Sequence, residues 1–364
     1  MIYYIVFLFY FILFFIELNY NLERKTRLAL YASSIIVFVL FFGLRWKTGT
    51  DWPTYYSYFH DNFTISEFYD TQFETGYVYL NYLIKILSRN YSVFLLIFTS
   101  LIGIAFFIGN KDLIKFPQAG ILYLFCTVGT PIRQTLAAAI ILISYKYIIS
   151  RNFIRFFCLV ILAACFHRSA FIFLPFYFIT KINFSNKNLI IIYTLSIIIG
   201  SFGFINEFVF DFIGNYIIGI DETVSGKLGT ILTNDTFDRE ASFISKVLSF
   251  VNSLFYILLF IHFSKKESDG IFKLFFVLFI FGLVISRLFT GPLSEFARFG
   301  NYFSFVLYIL VAFSLESIFG WKRNVLAVFF VAFCFFKLNE SHNQYKDLYL
   351  PYISIFETVE RSVY

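Results

Sequence analysis

The chain has 364 residues, of which 59% are hydrophobic and only 14% charged, with a formal net charge of +6. That apolar excess excludes a soluble globular domain and predicts a polytopic membrane protein. A nucleic-acid partner is excluded as well, because the chain has no basic soluble module to carry one.

A membrane span needs about 20 apolar residues. Residues 1–18 lack a basic leading region and a small-residue cleavage site, so they are expected to be a transmembrane helix rather than a removable signal. Further spans are expected near 28–44, 91–109, 113–130, 131–149, 188–204, 244–263, 270–289 and 300–319, with shorter ones near 153–166, 170–180 and 324–338. The expected fold is therefore all-α, with about 12 transmembrane segments in a single integral membrane domain over 1–364. Aromatic residues make up 23% of the chain, including 56 Phe, which suits lipid-facing surfaces and interfacial belts. The four cysteines, Cys126, Cys158, Cys165 and Cys334, all lie in apolar runs. They read as small buried hydrophobes, and no spacing resembles a zinc site.

Every second short loop is basic: Arg24, Lys25 and Arg27; Lys111 and Lys115; Lys146, Arg151 and Arg155; Lys181 and Lys187; Lys265 and Lys266; Lys322 and Arg323. One fixed topology, with the basic loops cytoplasmic, accounts for this alternation. The N-terminus, the C-terminal tail and the remaining loops then lie outside. Residues 76–88 are apolar but short and interrupted by Asn81 and Lys85. They are expected to form an amphipathic or re-entrant helix at the outer interface, since a span there would move every downstream basic loop outside. Two outer loops are long, 45–76 and 205–243, and the second is acidic.

Arg45, Arg133, Arg168 and Arg298 fall at the ends of apolar stretches on the outer side, where the positive-inside rule disfavours them. A strongly anionic ligand would explain the gathering. Thr130 suits an N-cap and Pro131 the first helical position, so a helix is expected to start there with Arg133 in its first turn and Gln134 next to it. A cation is disfavoured at that end of the helix dipole unless an anion binds between the two; the alternative is an arginine snorkelling to the interface. In Phe166-His167-Arg168-Ser169, His167 is a candidate general base, or else a satisfied interfacial histidine. Thr290-Gly291-Pro292 is expected to open a helix running through Glu295, Arg298 and Tyr302, with Arg287 closing the preceding span on the same side. Arg298 is a second anion ligand, or simply a partner of Glu295. After the second span come Arg45 and Asp51. Asp51 is placed to cap a helix beginning near Trp52, while Arg45 and Lys47 also suit interfacial anchors. Trp52, Tyr55, Tyr56 and Tyr58 suit stacking on sugar faces or an aromatic belt, and Glu74 adds a second carboxylate to this loop.

The ordered set of Arg45 before Gly49-Thr50-Asp51-Trp52-Pro53-Thr54-Tyr55-Tyr56, then Glu74-Thr75-Gly76-Tyr77, Arg133-Gln134, His167-Arg168-Ser169-Ala170, Arg298 with Tyr302, and Pro351-Tyr352 resembles the EpsG family of Wzy-like polysaccharide polymerases. Trp52 stands where that family commonly has Tyr. The resemblance implies a fold similar to the GT-C class. It also implies a glycosyltransferase at the outer face of the bacterial cytoplasmic membrane. A glycan on undecaprenyl diphosphate would be transferred to a lipid-linked repeat unit of capsule, O-antigen or exopolysaccharide. The partners so implied are the undecaprenyl-diphosphate-linked oligosaccharide and the bilayer, with a chain-length regulator and a flippase as candidate protein partners. Arg133, Arg168 and Arg298 would grip the diphosphate and His167 would take the acceptor proton. Arg45, Asp51, Tyr55, Glu74, Gln134, Arg287, Glu295 and Tyr302 would bind substrate. With no compact carboxylate cluster in the sequence, transfer is expected to be metal-independent and to use no cofactor. The competing class is a lipid-linked-oligosaccharide flippase, but it should carry charge through the depth of its cavity, and the middles of these spans are nearly uncharged.

Overall fold

The computed structural model describes residues 1–69, 73–127, 132–201, 243–265, 270–289, 294–344 and 346–357. The acidic loop, the Gly129-Thr130-Pro131 cap and the Thr290–Leu293 turn therefore lie outside the described residues, apart from the last residue of that loop. The described residues are helical with no strand; an isolated bridge pairs Arg45 with Ser354. Seven helical segments among them are long and apolar enough to cross a membrane, and three shorter apolar ones accompany them. The chain is an all-α polytopic membrane protein.

The helices gather into two compact units, Met1–Leu174 with Val311–Tyr364, and Pro175–Leu310. The first contains α1 (Ile2–Asn19), α2 (Arg24–Gly43), α3 (Trp52–Asp61), α4 (Ile65–Tyr69), α5 (Thr75–Leu87), α6 (Tyr91–Asn110), α7 (Pro117–Thr127), α8 (Ile132–Ile149) and α9 (Phe153–Ala164), followed by a 3-10 helix at Arg168–Phe173. Asn90 caps α6 and Asn152 caps α9, each side chain accepting a backbone N–H of the first turn. α6 is the central packing element, lying against α2 and α8. Its Gly103 faces Ile35 of α2 and its Gly109 faces Leu142 of α8, where an added Cβ would come within 2.8 and 2.6 Å of side-chain carbons. Small residues at such crossings let helices pack closely where lipid supplies no hydrophobic drive between them.

Helix direction and contacts sort the first unit into two ends. At one end Arg24 pairs with Asp112 at 2.7 Å, and Glu17 meets the start of α7. The basic loops of the first unit collect there. At the other end lie the start of α1, the end of α2, the starts of α6 and α8, and the end of α9. The C-terminal segment returns to this second end. Trp46 N–H donates to Ile353 O at 2.8 Å, Ile355 N–H to Leu44 O at 2.9 Å, and Tyr352 Oη to Phe41 O at 2.7 Å.

α5 has 13 residues, about 20 Å of helix, too short to span. Its two polar interruptions are explained by packing. Lys85 Nζ donates to the carbonyls of Phe59 and His60 at 2.6 and 2.7 Å, closing the C-terminal end of α3, and Asn81 donates to Tyr77 O. Cys126 and Cys334 are buried as expected, whereas Cys158 is exposed on the outward face of α9 and Cys165 is half-buried.

The second unit contains α10 (Phe176–Ile179), α11 (Asn186–Ser201), α12 (Phe243–Ser264), α13 (Ile271–Leu288), α14 (Ser294–Ala297), a 3-10 helix at Arg298–Phe303 and the first part of α15 (Phe305–Glu316). α16 (Trp321–Gln344) and α17 (Lys346–Tyr349) belong to the first. The helix expected to run from Thr290 through Tyr302 is instead broken into α14 and a 3-10 turn. The reason is contact with α13: a Cβ at Gly300 would lie 2.1 Å from Ser286 Oγ, and Tyr302 and Phe303 are buried.

Candidate active site

The Glu74-Thr75-Gly76 segment opens α5. Gly76 lets the helix start touch the turn after α9: its N–H donates to Cys165 O at 2.8 Å, and a Cβ there would sit 2.7 Å from the same oxygen. That contact places Glu74 at the head of the 3-10 helix. Arg168 N–H donates to Glu74 Oε1 at 3.2 Å, and His167 Nδ1 lies 3.4 Å from that oxygen, too long for a well-formed hydrogen bond. Glu74 Oε2 pairs with Nη1 of Arg133, from the first turn of α8. Arg133 Nε donates to Tyr55 Oη at 3.1 Å. The guanidinium carbon lies 4.6 Å from the ring centre of Phe73 and 5.4 Å from those of Tyr55 and Tyr77, an aromatic enclosure that favours a cation.

The Glu74 side chain is only 9% exposed. Burial works against its charged form, yet the His167 ring, the Arg133 guanidinium and the Arg168 N–H outweigh it, and its pKa falls to about 2. Glu74 also answers the dipole objection to Arg133: the anion at this helix start is the protein's own carboxylate. For Tyr55, burial raises the hydroxyl pKa against the lowering effect of Arg133. His167 and Arg168 from the turn after α9 and Arg133 from α8 converge on one carboxylate, and Tyr55 of α3 is held to it through Arg133.

Across residues 28–354 the chain matches the model of the EpsG family. It belongs to that family. EpsG-family proteins are Wzy-like polymerases, which points to a role in polysaccharide polymerisation in general. No curated protein and no solved structure matches the chain.

The other residues singled out in this EpsG-family sequence fall in several places. Arg168 is exposed, and among the described residues its guanidinium has no hydrogen-bond or ion-pair partner. Gln134 is buried beside Arg133. Arg45 is 5% exposed, so it is no interfacial anchor: its guanidinium lies over the Phe42 ring at 5.7 Å and its backbone bridges Ser354. Asp51 occupies the position before α3, but its side chain makes no capping bond and accepts instead from Thr50 Oγ1 at 3.2 Å. Trp52, Tyr55 and Tyr58 are buried, and Trp52 stacks on Tyr56 and Tyr58 on Tyr77. In this conformation they form an aromatic core under the site rather than an open sugar platform.

Within the second unit, Arg287 reaches Ser249 and Ser253 of α12 at 3.3 and 3.5 Å. Arg298 is exposed at the start of its 3-10 helix and Tyr302 is buried. The Glu295 side chain lies outside the described residues. In the sequence Glu74 stands only as a second carboxylate of the 45–76 loop. Its position beside a glycine that must touch a second turn was the available signal of its central place.

Proposed function

We propose that the protein is a polysaccharide polymerase. In this reading it works at the outer face of the bacterial cytoplasmic membrane and transfers a growing glycan from undecaprenyl diphosphate to a lipid-linked repeat unit. The observation that supports it most is the Glu74 junction, where His167, Arg133 and Arg168 meet in a member of the EpsG family.

Glu74 beside Nδ1 favours the tautomer with its proton there, which leaves Nε2 of His167 as the base. Nε2 takes the proton of the acceptor hydroxyl, and the hydroxyl oxygen attacks the anomeric carbon. The bond from that carbon to the diphosphate oxygen breaks, and the lipid diphosphate leaves with the electron pair. Glu74 stabilises the imidazolium so formed. Arg168, exposed and unpaired among the described residues, holds the diphosphate as its charge grows. Arg133 is already paired and takes a different role from the open clamp expected of it: it fixes Glu74. The cationic groups supply the charge stabilisation, so the transfer proceeds without a metal.

Purified protein given one defined lipid-linked repeat unit should produce a ladder of longer products, unchanged by a chelator. His167→Gln should abolish the ladder while the variant stays folded. An unaltered ladder from that variant would remove His167 from the mechanism. Protein that moves the lipid-linked unit across a vesicle bilayer without lengthening it would be a flippase.

A further inference from the structure

The first unit has a second polar pocket at its basic end, away from Glu74. Its volume is ≈130 Å³, about four waters' worth of space. The turn between α1 and α2 forms one wall, and Glu17, Arg27, Lys115, Phe116 and Arg323 supply the rest. Glu17 is 3% exposed; its Oε2 accepts the Gln118 N–H at 2.9 Å, while its Oε1 is buried without a hydrogen-bond partner. Arg323 Nε is likewise buried and unpartnered. The side chains of Arg27, Lys115 and Arg323 make no hydrogen bond or ion pair with any described residue. Glu316, the nearby carboxylate, accepts the backbone N–H of Lys115. Three cationic side chains line the pocket against one carboxyl group.

A buried donor without a partner costs about 1–3 kcal/mol, and like charges around one cavity repel. A doubly acceptor-rich anion relieves both, and two guanidinium groups suit phosphate because each can offer it paired N–H donors. The location selects the source. The pocket lies where the apolar stretches of α1, α2 and α16 end, at headgroup depth, and Phe319 and Trp321 beside it are 79% and 72% exposed, as aromatic residues at a membrane interface are. Basic pockets between helices at this level suit anionic lipid headgroups.

We propose that the pocket among Glu17, Arg27, Lys115 and Arg323 binds the phosphate of an anionic phospholipid from the leaflet on the basic side. The test uses the full chain in phosphatidylcholine nanodiscs with and without phosphatidylglycerol, reading the thermal midpoint and the lipid retained in native mass spectrometry. Phosphatidylglycerol should raise the midpoint of the unaltered protein, and the double variant Arg27→Gln, Arg323→Gln should lose at least half of that rise. An equal rise in the double variant, or none in either protein, would overturn the site. Millimolar inorganic phosphate in phosphatidylcholine alone should not move the midpoint; a rise matching that with phosphatidylglycerol would overturn the lipid as the source. Lys115→Gln removes one of the three cations and leaves the backbone N–H bond of that position to Glu316 in place. It should retain phosphatidylglycerol more weakly, and unchanged retention would overturn the proposal even if the double variant fails to fold. Neither result bears on polymer synthesis, so the pocket and the polymerase reading stand or fall separately.

Discussion

Replacing Glu74 with Gln keeps the size of the side chain and removes its charge. In the native protein the carboxyl pKa falls from its ordinary 4.5 to about 2. At about 1.4 kcal/mol per pH unit, that difference corresponds to about 3 kcal/mol of stabilisation at pH 7. A second route gives a similar size: breaking one side of a buried ion pair costs about 3–5 kcal/mol because the other charge is stranded, and here the stranded group is Arg133 among three aromatic rings. Because the folded pKa is the lower one, the stabilisation is fully present above pH 4.5 and is lost as pH falls towards 2. Linkage leaves less than half of that advantage, about 1 kcal/mol, at pH 3. The assay is unfolding by SDS titration in mixed micelles, followed by the fluorescence of Trp46 and Trp52, whose rings are 5.1 Å apart in the loop beneath the site. The gap between native protein and variant should be constant from pH 7 to pH 5 and should close below that. A Glu74→Gln protein as stable as the native one at pH 7, or a gap that does not change down to pH 3, would refute the junction as described.

Arg168→Gln should leave that unfolding curve unchanged, since the side chain pairs with no described residue, while lowering the rate of chain extension by about 10²–10³. Gly76→Ala should cost about 1–3 kcal/mol and reduce polymer length, because the new methyl meets Cys165 O and pushes Glu74 away from His167. Lys85→Met should destabilise by about 2 kcal/mol through loss of two charge-assisted bonds to the end of α3, again read by SDS titration. Its effect on activity should follow from the displaced α3 and be recovered by Lys85→Arg in part.

The apolar runs reported the long helices well, because span length is a one-dimensional property that lipid thickness imposes on the sequence. The short helix α5 was equally legible: a lysine in its last turn is incompatible with the hydrocarbon core and finds carbonyls at the end of α3 instead. What the sequence did not show was pairing across space. Arg133 and Glu74 are 59 residues apart and Arg168 and Glu74 are 94 apart, so nothing local marks the carboxylate as their common partner. The same gap explains Arg45, which by position resembled an interfacial anchor and is buried against Phe42 and the returning C-terminal segment. The aromatic loop misled in the opposite sense. Trp52, Tyr55 and Tyr58 recur on one side of α3, a spacing that serves a buried face as well as a binding surface. Only the three-dimensional contacts with Phe73 and Tyr77 decide between them.

The bridge between Arg45 and Ser354 joins positions 309 residues apart. Ribosomes add about 5–20 residues per second, so something on the order of 15–60 s separates the appearance of the two halves of that contact. Through this interval the loop bearing Trp46 and Gly49 has no Ile353 or Leu348 carbonyl to donate to. A chain cut short by a premature stop would insert nearly all of its helices and still lack the fastening that shapes this loop. Emergence of residues 348–355 therefore sets the earliest moment at which this end of the molecule can be fastened.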